Sequence, residues 1–388
     1  MGFRLMGFKP QVFLFSVFCA VATAGPETAA IKKSTGVQQP GVQIQAEKLV
    51  AEKEFAWAPS WLLFAKGLMG PGADGQTLTV IDGKSLEMGD PETGFDDPCA
   101  GAITAFKSLW VMNCGTGEII RLNPNAEEEA KAGTSKEDAE AKTEAADVGK
   151  GNAAEGKGAE GAEAAVVPEA VDRIQAKIPV GAGKTTWGIA ATDDSIWALT
   201  DGKTTLSRID PAGNRVVGEL RVPAGCNQLL AAANALWVTC PDRDEVLRVS
   251  PVLNIVEKRI DVAKRPSSMV FAGGALWVLG LTDGKIDKID PKENKVTETI
   301  DLKSYNNASG SLAFGDGSLW ASVPGFPLTR IDPEVTTDDG KKAEVLQQFV
   351  GKGGGAIHFG AGALWMVNPG DGTMWKIDPK RILATVAD

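Results

Sequence analysis

The most regular feature of the chain is a repeated series of short apolar runs separated by glycine, asparagine and aspartate turns. Within residues 265–302 the runs are Met269 to Ala272, Ala275 to Leu279, Lys285 to Ile289 and Lys295 to Ile300. The segments between them are Gly-Gly, Asp-Gly and Asp-Pro, which are typical hairpin turns. Four short runs joined by such turns predict one four-stranded antiparallel blade.

A tryptophan preceded by leucine, isoleucine or serine marks each repeat, at Trp61, Trp110, Trp197, Trp237, Trp277, Trp320 and Trp365. Repeats of about 40 to 45 residues built from short strands are typical of β-propellers. We therefore predict an all-β, seven-bladed propeller of four-stranded antiparallel blades. Six blades are the alternative, because the Trp61 repeat is irregular and its first strand must be sought near Glu54 to Ala58. The last repeat predicts its own fourth strand at Arg381 to Val386, which leaves the closure of the ring open.

The third strand of most repeats ends in Ile-Asp-Pro, and Asn or Ser replaces Asp in two variants. These tripeptides begin at Ile209, Ile289, Ile331 and Ile377, and the variants begin at Leu122 and Val249. The polar side chain can accept a hydrogen bond from its own turn, and proline ends the strand ladder. We interpret these aspartates as structural. The repeat tryptophans are expected to pack between blades, whereas Trp57, Trp187 and Trp375 lie outside the register.

The N-terminus has the pattern of a secretory signal peptide. Arg4 and Lys9 precede the apolar run Val12 to Val21, and Ala22-Thr23-Ala24 is a small-residue cleavage site. Residues 1–24 are thus predicted to be removed near Ala24, which would place the protein in the periplasm or outside the cell. The run is too short to span a membrane. Cys19 suggests a lipoprotein as the alternative, although the bulky residue before it argues against lipid attachment.

Residues 25–50 are predicted to form a flexible linker, and residues 51–388 the propeller, interrupted by an acidic insertion at 126–170. The chain has a net charge of −10, and the insertion contains twelve acids against five lysines. Because it has no aromatic residue, leucine or isoleucine, we expect the insertion to be disordered. A solvated tether and a site for a basic partner or cation both remain open. An acidic chain of this kind disfavours nucleic acid and anionic membranes as partners.

Four cysteines follow the signal region, and they occupy matched positions in two repeats. Cys99 and Cys226 each precede their repeat tryptophan by eleven residues, and Cys114 and Cys240 follow it by four and three. Each pair joins the start of a first strand to the end of its antiparallel neighbour. We therefore predict the disulfides Cys99–Cys114 and Cys226–Cys240. Zinc is the alternative, but two cysteines without a histidine are a poor ligand set.

A propeller most often binds its ligands at the mouth of the central channel, where loops lead into the first strands. The candidate ligand-binding residues there are Trp187, Asn227, Gln228, Arg265, Ser268, Asn307 and Ser309. Such a set favours recognition of a sugar, a peptide or a small anion. His358, the single histidine, is a weak catalytic candidate because no partner acid stands at a recognisable spacing.

The phrases Ala275-Leu276-Trp277-Val278 and Gly372 to Pro379 resemble the YVTN-type repeats of exported bacterial propellers. The streptogramin B (virginiamycin B) lyase group shares that fold class. The resemblance implies catalysis by several histidines and a glutamate near magnesium, but this chain has one histidine, so that set cannot be present.

Two hypotheses follow for the function. We favour a monomeric binding scaffold for a small molecule, glycan or protein, with no cofactor, no metal-binding residues and no membrane-spanning segment. The alternative is a metal-dependent lyase or lactonase-like hydrolase. It would hold a divalent cation through hairpin-turn carboxylates, for which the candidates are Asp201, Asp242, Asp244, Asp283 and Asp371.

Overall fold

The computed structural model of the chain describes residues 43–45, 51–65, 67–126, 173–185, 187–337 and 340–384. The predicted signal peptide and most of the predicted linker and insertion lie outside these residues. No helix in the described ranges is long and apolar enough to cross a membrane.

The described chain is almost entirely β-structure, and its strands fall into consecutive groups. The N-terminal strands are β1 (Gln43–Gln45) and β2 (Lys53–Phe55). Blade 1 contains β3 (Leu63–Phe64), β4 (Gly67–Pro71) and β5 (Leu78–Asp82). Blade 2 contains β6 (Pro98–Ala105), β7 (Ser108–Asn113), β8 (Glu118–Leu122) and β9 (Ile174–Pro179). Blade 3 contains β10 (Ile189–Ala191), β11 (Ile196–Thr200), β12 (Thr205–Asp210) and β13 (Arg215–Arg221). Blade 4 contains β14 (Gln228–Ala232), β15 (Ala235–Cys240), β16 (Glu245–Ser250) and β17 (Ile255–Asp261).

The remaining blades continue in the same way. Blade 5 contains β18 (Pro266–Ala272), β19 (Ala275–Gly280), β20 (Lys285–Asp290) and β21 (Lys295–Asp301). Blade 6 contains β22 (Ser311–Gly315), β23 (Ser318–Val323), β24 (Phe326–Thr337) and β25 (Gly340–Val350). Blade 7 contains β26 (Ile357–Gly360), β27 (Ala363–Asn368) and β28 (Thr373–Ile377), followed by helix α1 (Pro379–Ala384). Single-turn 3-10 helices occur at Asp201–Lys203 and Pro241–Arg243.

The described strands form seven antiparallel sheets arranged as a ring, which confirms the seven-bladed propeller. Four sheets, those of blades 2 to 5, are simple four-stranded meanders. Blade 1 has three strands, and its outer edge is completed by isolated bridges from Leu78 to Glu92 and from Ile81 to Met88. Blade 6 gains a fifth strand because β1 pairs in parallel with β25.

The ring closes through the N-terminal strand β2, which differs from the expectation for the last repeat. Strand β2 pairs antiparallel with β28, so Lys53–Phe55 forms the outer strand of blade 7. The segment expected to be a fourth strand at Arg381 to Val386 instead begins inside helix α1. Its Ile382 is buried against the blade 6–7 core. Lys53–Phe55 is thus not the first strand of the Trp61 repeat.

Seven apolar clusters of described residues fill the ring, one between each pair of neighbouring blades. Six repeat tryptophans are at most 1% exposed in these clusters, as predicted; they are Trp110, Trp197, Trp237, Trp277, Trp320 and Trp365. Trp61 is also buried but precedes β3, and Met69 takes the repeat position on β4 by pairing with Leu63. The assignment of Trp61 to a second strand was therefore wrong.

Each of the six repeat tryptophans is held in the same way. Its Nε1 donates to an acceptor on the residue five positions earlier, as from Trp237 to the carbonyl of Ala232 at 3.0 Å. An arginine or lysine pairs with it from the third strand, and the guanidinium of Arg248 lies 5.7 Å from the Trp237 ring. A cation over an indole face adds to the apolar packing.

The Asp-Pro turns have the predicted structural role. Asp290 accepts hydrogen bonds from the backbone N–H groups of Lys292 at 2.6 Å and Glu293 at 3.1 Å. Ser250 does the same for Leu253 in the variant turn. In blade 6 Asp332 likewise accepts from the Glu334 N–H at 2.9 Å. The strand ladder does not end at the proline there, because β24 continues through Asp332 with a change of register.

Both predicted disulfides are present, Cys99–Cys114 in blade 2 and Cys226–Cys240 in blade 4. The two cysteines are 15 residues apart in the first disulfide and 14 residues apart in the second. Cys226 and Cys240 are buried in the interface between blades 3 and 4. The disulfides therefore fasten the start of the first strand in blades on either side of blade 3.

Candidate functional site

The first strand of every blade borders the central channel, and matched positions form rings around it. The residue nine positions before the repeat tryptophan lies where the strand enters from the mouth. In blades 2 to 7 this residue is Gly101, Gly188, Gln228, Ser268, Ser311 or Ala356, and Trp61 takes the equivalent place in blade 1. The mouth ring is therefore uncharged, and its residues differ greatly in size from blade to blade.

A cavity of about 630 Å³ occupies the channel on the side of blades 4 to 7 and blade 1. It is lined by Pro59, Ser60, Trp61, Leu62, Trp187, Gln228, Leu229, Leu230, Ser268, Met269, Val270, Ser309, Gly310, Ser311, Leu312, Ala313, Phe314, Gly354, Gly355, Ala356, Ile357, His358, Phe359, Val367 and Pro369. His358 is the one ionisable side chain among these described lining residues. The cavity is thus a largely apolar chamber of ligand-binding size.

The structure brings five of the sequence-predicted site residues to this cavity: Trp187, Gln228, Ser268, Ser309 and His358. The other three candidates do not line it. The Asn227 side chain accepts a hydrogen bond from Thr239 Oγ1 at 2.7 Å. Arg265 donates through its guanidinium to the carbonyl of Asn307. Asn307 is itself buried, at 3% exposure. The one predicted cation of the site is therefore turned to the protein backbone.

Three of the four serines that line the cavity are engaged in bonds between blades. Ser268 Oγ accepts from the N–H of Leu312 at 2.9 Å, and Ser309 Oγ donates to the carbonyl of Gly354 at 2.6 Å. Ser311 Oγ accepts from the N–H of Ile357 at 3.2 Å. These hydroxyls hold the first strands of blades 5, 6 and 7 together. Their presence in the cavity wall therefore adds less polar character than their number suggests.

Gln228 differs from the serines, because its side chain has no hydrogen-bond partner within the described part of the chain. Its Oε1 is buried, yet the residue lines the cavity. The Gln228 backbone is fixed on both sides, by pairing with Thr239 and by a parallel bridge to Trp187. Gln228 thus carries a buried, unpaired amide oxygen on a rigid strand.

Trp187 lies on the loop before β10 and reaches over blade 2. A Cβ at Gly101 would lie 2.8 Å from Cε3 of the Trp187 ring. Gly101 has a φ of +98°, a conformation that favours glycine. The Trp187 ring also meets the ring of Trp61 edge-on, with centroids 6.2 Å apart. These two indoles form the wall of the cavity on the blade 1 to 3 side.

Four phenylalanines share one register position, and two of them were missed as site residues. Phe64, Phe271, Phe314 and Phe359 each lie one residue after the position that pairs with the repeat tryptophan or Met69. They occupy blades 1, 5, 6 and 7, whereas blades 2, 3 and 4 carry Thr104, Ala191 and Ala231. Two of them, Phe314 and Phe359, line the cavity. Aligning the first strands of the repeats would have found this one-sided aromatic set.

His358 lies among these aromatic rings. Its imidazole stacks on Phe64, with ring centroids 5.4 Å apart. Burial lowers the pKa of His358 to about 4, so the ring is neutral at pH 7. No acidic or basic side chain pairs with it in the described residues. His358 therefore has the surroundings of a packed aromatic residue, not those of a general base with a partner acid.

The carboxylates considered for a divalent cation do not meet. Asp201 accepts from Thr205 Oγ1 at 3.2 Å, and Asp244 accepts from the Arg265 N–H at 2.8 Å. Asp371 pairs with Lys352 at 3.2 Å. None of the five candidates lines the cavity. No group of three or more His, Cys, Asp or Glu in the described ranges is arranged to hold a metal ion. The donor set thus does not fit the magnesium of the lyase group.

A second cavity of about 640 Å³ lies beside blade 1 and shares Pro59 and Ser60 with the first. Trp57 and Pro71 form part of its wall, and Trp57 Nε1 donates to the Pro71 carbonyl at 3.0 Å. Lys184 and Asp97, also in the wall, form an ion pair at 3.0 Å. Trp57 is thus a structural residue of the rim.

Solved structures share this architecture. A streptogramin B lyase is 14% identical and superimposes with a TM-score of 0.57, covering 84% of this chain and 95% of the lyase chain. Virginiamycin B lyase from Staphylococcus aureus is also 14% identical, with a TM-score of 0.58, covering 84% of this chain and 98% of its own. The chain has a streptogramin lyase-like propeller fold.

A chain of the mitotic checkpoint complex matches as well, at 9% identity and a TM-score of 0.61, covering 96% of this chain and 99% of that chain. No protein-family model matches the sequence. No curated protein matches it either. At these identities the streptogramin lyase-like likeness extends to the fold alone, and the function must be argued from the site.

Proposed function

We propose that this propeller is an exported binding protein that takes an uncharged ligand into its channel cavity. The observation that carries the proposal is the wall of the cavity, which combines two indoles and two phenylalanines with no carboxylate, ammonium or guanidinium among its described residues. A charged ligand would lose its hydration there without gaining a partner. An uncharged ligand loses far less and gains apolar contact.

The rigidity of the wall supports binding without a large rearrangement. The serines tie neighbouring first strands together, and disulfides fasten two of the seven blades near the mouth. A preformed cavity avoids the entropy cost of ordering a loop around the ligand. The disulfides also support a location in the periplasm or outside the cell, because such bonds persist in oxidising compartments.

A fragment screen tests the proposal. Equal numbers of neutral, anionic and cationic aromatic fragments are compared by tryptophan fluorescence and by structures of soaked crystals. We expect the neutral fragments to dominate among those seated in the channel and to alter the emission of Trp187. Ala356→Phe should weaken this binding strongly, because Ala356 lines the cavity at the mouth and the added ring would obstruct it.

The matched control is Ala212→Phe, which adds the same group to an exposed turn of blade 3 and should leave binding unchanged. The proposal fails if charged fragments occupy the channel as often as neutral ones. It fails equally if Ala356→Phe, folded and with an unchanged melting temperature, binds the fragments like the wild type.

A further inference from the structure

The segment Trp187-Gly188, which carries one indole of the cavity wall, is held between the two strands that the disulfides fasten. On the blade 4 side, the Trp187 N–H donates to the carbonyl of Asn227 at 3.1 Å. On the blade 2 side, the Gly188 N–H donates to the carbonyl of Ala100 at 2.9 Å. Each acceptor residue directly follows a disulfide cysteine in the sequence. The position of the indole therefore depends on both strands.

These two strands are fixed to their own blades in different ways. In blade 4, β14 pairs with β15 along its whole length. In blade 2, the ladder between β6 and β7 is interrupted, because Pro98 and Ala102 have partners and residues 99–101 bulge out between them. We call residues 99–101 the bulge. Since it has no ladder partners, the Cys99–Cys114 bond is its covalent link to the chain that follows β7.

The bulge supports both indoles of the cavity wall. The Trp187 ring rests against the backbone of Gly101, where a side chain would leave no room for it. Pro98, immediately before the bulge, accepts a hydrogen bond from Trp61 Nε1 at 3.1 Å. A bulge that loosens would therefore remove the support of Trp187 and disturb the contact of Trp61.

The bond that fastens the bulge is also the one that a reagent can reach. Cys99 and Cys114 are partly exposed, whereas Cys226 and Cys240 are at most 1% exposed. Cys99 lines the second cavity of about 640 Å³ beside blade 1. A thiol must reach a sulfur atom to react with a disulfide. The accessible disulfide is thus the one whose strand lacks an intact ladder.

We infer that Cys99–Cys114 is a redox latch on the channel cavity: a dithiol opens it, the bulge loosens, and the affinity for the channel ligand falls. This inference rests on the proposed function and concerns the regulation of its site. A thiolate of the dithiol attacks one sulfur of the bond and forms a mixed disulfide, and the other cysteine leaves as a thiolate and takes up a proton. The second thiol of the reagent then displaces the remaining cysteine. Two electrons and two protons pass to the cysteines, and the dithiol becomes a disulfide.

Hydrogen exchange of two adjacent amides tests the latch without any ligand. Dithiothreitol is added to the folded protein, and alkylation with peptide mass spectrometry verifies that Cys99–Cys114 alone has opened. Exchange is then measured residue by residue by NMR. The Gly188 N–H, which is bonded to the bulge, should exchange at least about tenfold faster after reduction. The Trp187 N–H, which is bonded to blade 4, is the internal control and should change by less than about threefold.

Binding of N-phenyl-1-naphthylamine, a neutral fluorescent aromatic probe, tests the effect on the cavity. Reduction should weaken its binding about fivefold, because the ligand must then order the Trp187 side chain as it binds. The double variant Cys99→Ala/Cys114→Ala should bind like the reduced protein and should not respond to dithiothreitol. The matched variant Cys226→Ala/Cys240→Ala keeps the latch, so reduction should weaken its binding as in the wild type. The exchange measurements on the wild type need no variant to fold.

A Cys99–Cys114 bond that resists dithiothreitol in the folded protein would overturn the inference, as would equal exchange of the Gly188 N–H before and after reduction. Probe binding that reduction leaves unchanged would overturn the control of affinity, although binding in the channel would stand. The proposed function fails, and the inference with it, if the oxidised wild type does not bind the probe or if Ala356→Phe binds it equally well.

Discussion

The Trp187 indole rests against the backbone of Gly101, so closely that a Cβ at position 101 would lie 2.8 Å from ring atom Cε3. This contact joins blade 3 to blade 2 and holds the indole at the edge of the cavity. Because Gly101 of blade 2 has no side chain, the Trp187 indole of blade 3 can lie against its backbone and form part of the cavity wall.

Gly101→Ala should therefore displace Trp187 and destabilise the propeller. The residue has a φ of +98°, which costs about 1 kcal/mol for alanine, and the clash adds about 1–2 kcal/mol. Gly317→Ala is the matched control, since Gly317 has a φ of +71° but a Cβ there meets nothing within 4 Å. Urea unfolding and tryptophan fluorescence measure both variants. Equal losses of stability in the two would show that the Trp187 contact contributes nothing.

A second relationship between blades predicts a measurable coupling energy. Arg248 of blade 4 donates to Asn294 Oδ1 at 2.6 Å and to the Pro291 carbonyl at 2.9 Å, both in the turn of blade 5. The double-mutant cycle of Arg248→Met and Asn294→Ala should yield a coupling of about 1 kcal/mol in urea unfolding.

The repeat supplies the control for this cycle one blade earlier. Arg208 bonds within its own blade, to Ser195 at 2.7 Å and Asp194 at 2.8 Å. Asn254 of blade 4 has a buried Oδ1 without a partner. The cycle of Arg208→Met and Asn254→Ala should show no coupling. A coupling of the same size in both pairs would mean that the Asn294 bond is not its source.

The sequence was informative wherever the physical cause was local. The Asp290 and Ser250 turns follow from side chains that bond to the next few residues, and the two disulfides follow from residues at neighbouring strand ends. Trp61 misled the assignment because its neighbours resemble a second strand. Met69, which takes that place, is apolar and of adequate size but carries no comparable pattern.

The closure of the ring and the details of the site depend on contacts between distant segments. Strand β2 has three residues, and nothing near it in sequence marks it as the partner of β28. The Ser268 and Ser309 hydroxyls look free in the sequence, because their partners belong to the neighbouring blade or to a loop 45 residues away. Sequence patterns therefore indicated five residues that line the cavity but not which of their polar groups are already bonded.

Closure by β2 predicts a large effect of one N-terminal side chain. Phe55 is 5% exposed, and its ring centroid lies 5.8 Å from that of Trp365 in the blade 7–1 interface. Phe55→Ala should lower the free energy of unfolding by about 3 kcal/mol. Glu54→Ala on the same strand is the control, because Glu54 is exposed, and it should change stability by less than about 0.5 kcal/mol. Similar small effects of both substitutions would contradict closure through this strand.

The two disulfides should differ in their resistance to reduction. Cys226 and Cys240 are at most 1% exposed, whereas Cys99 and Cys114 are partly exposed. A reductant must reach a sulfur atom to attack it. Under native conditions Cys99–Cys114 should therefore be reduced first, and Cys226–Cys240 only on unfolding. Timed alkylation followed by peptide mass spectrometry measures the order. Simultaneous reduction of both bonds in the folded protein would be inconsistent with this difference in burial.

His358 should make the propeller less stable in mild acid. Burial lowers its pKa to about 4 in the folded protein, against about 6.5 in an unfolded chain. Between these values the unfolded chain binds more protons, so stability falls as the pH decreases from 6.5 to 4. Because His358 lines the cavity and is partly exposed to it, we expect a loss of about 2 kcal/mol across this range. His358→Phe removes the titration and keeps an aromatic ring beside Phe64. The difference in unfolding free energy between this variant and the wild type, measured from pH 7.5 to 4, isolates the histidine from the carboxylates that also titrate. A difference that does not change with pH would show that His358 is charged as readily in the channel as in water.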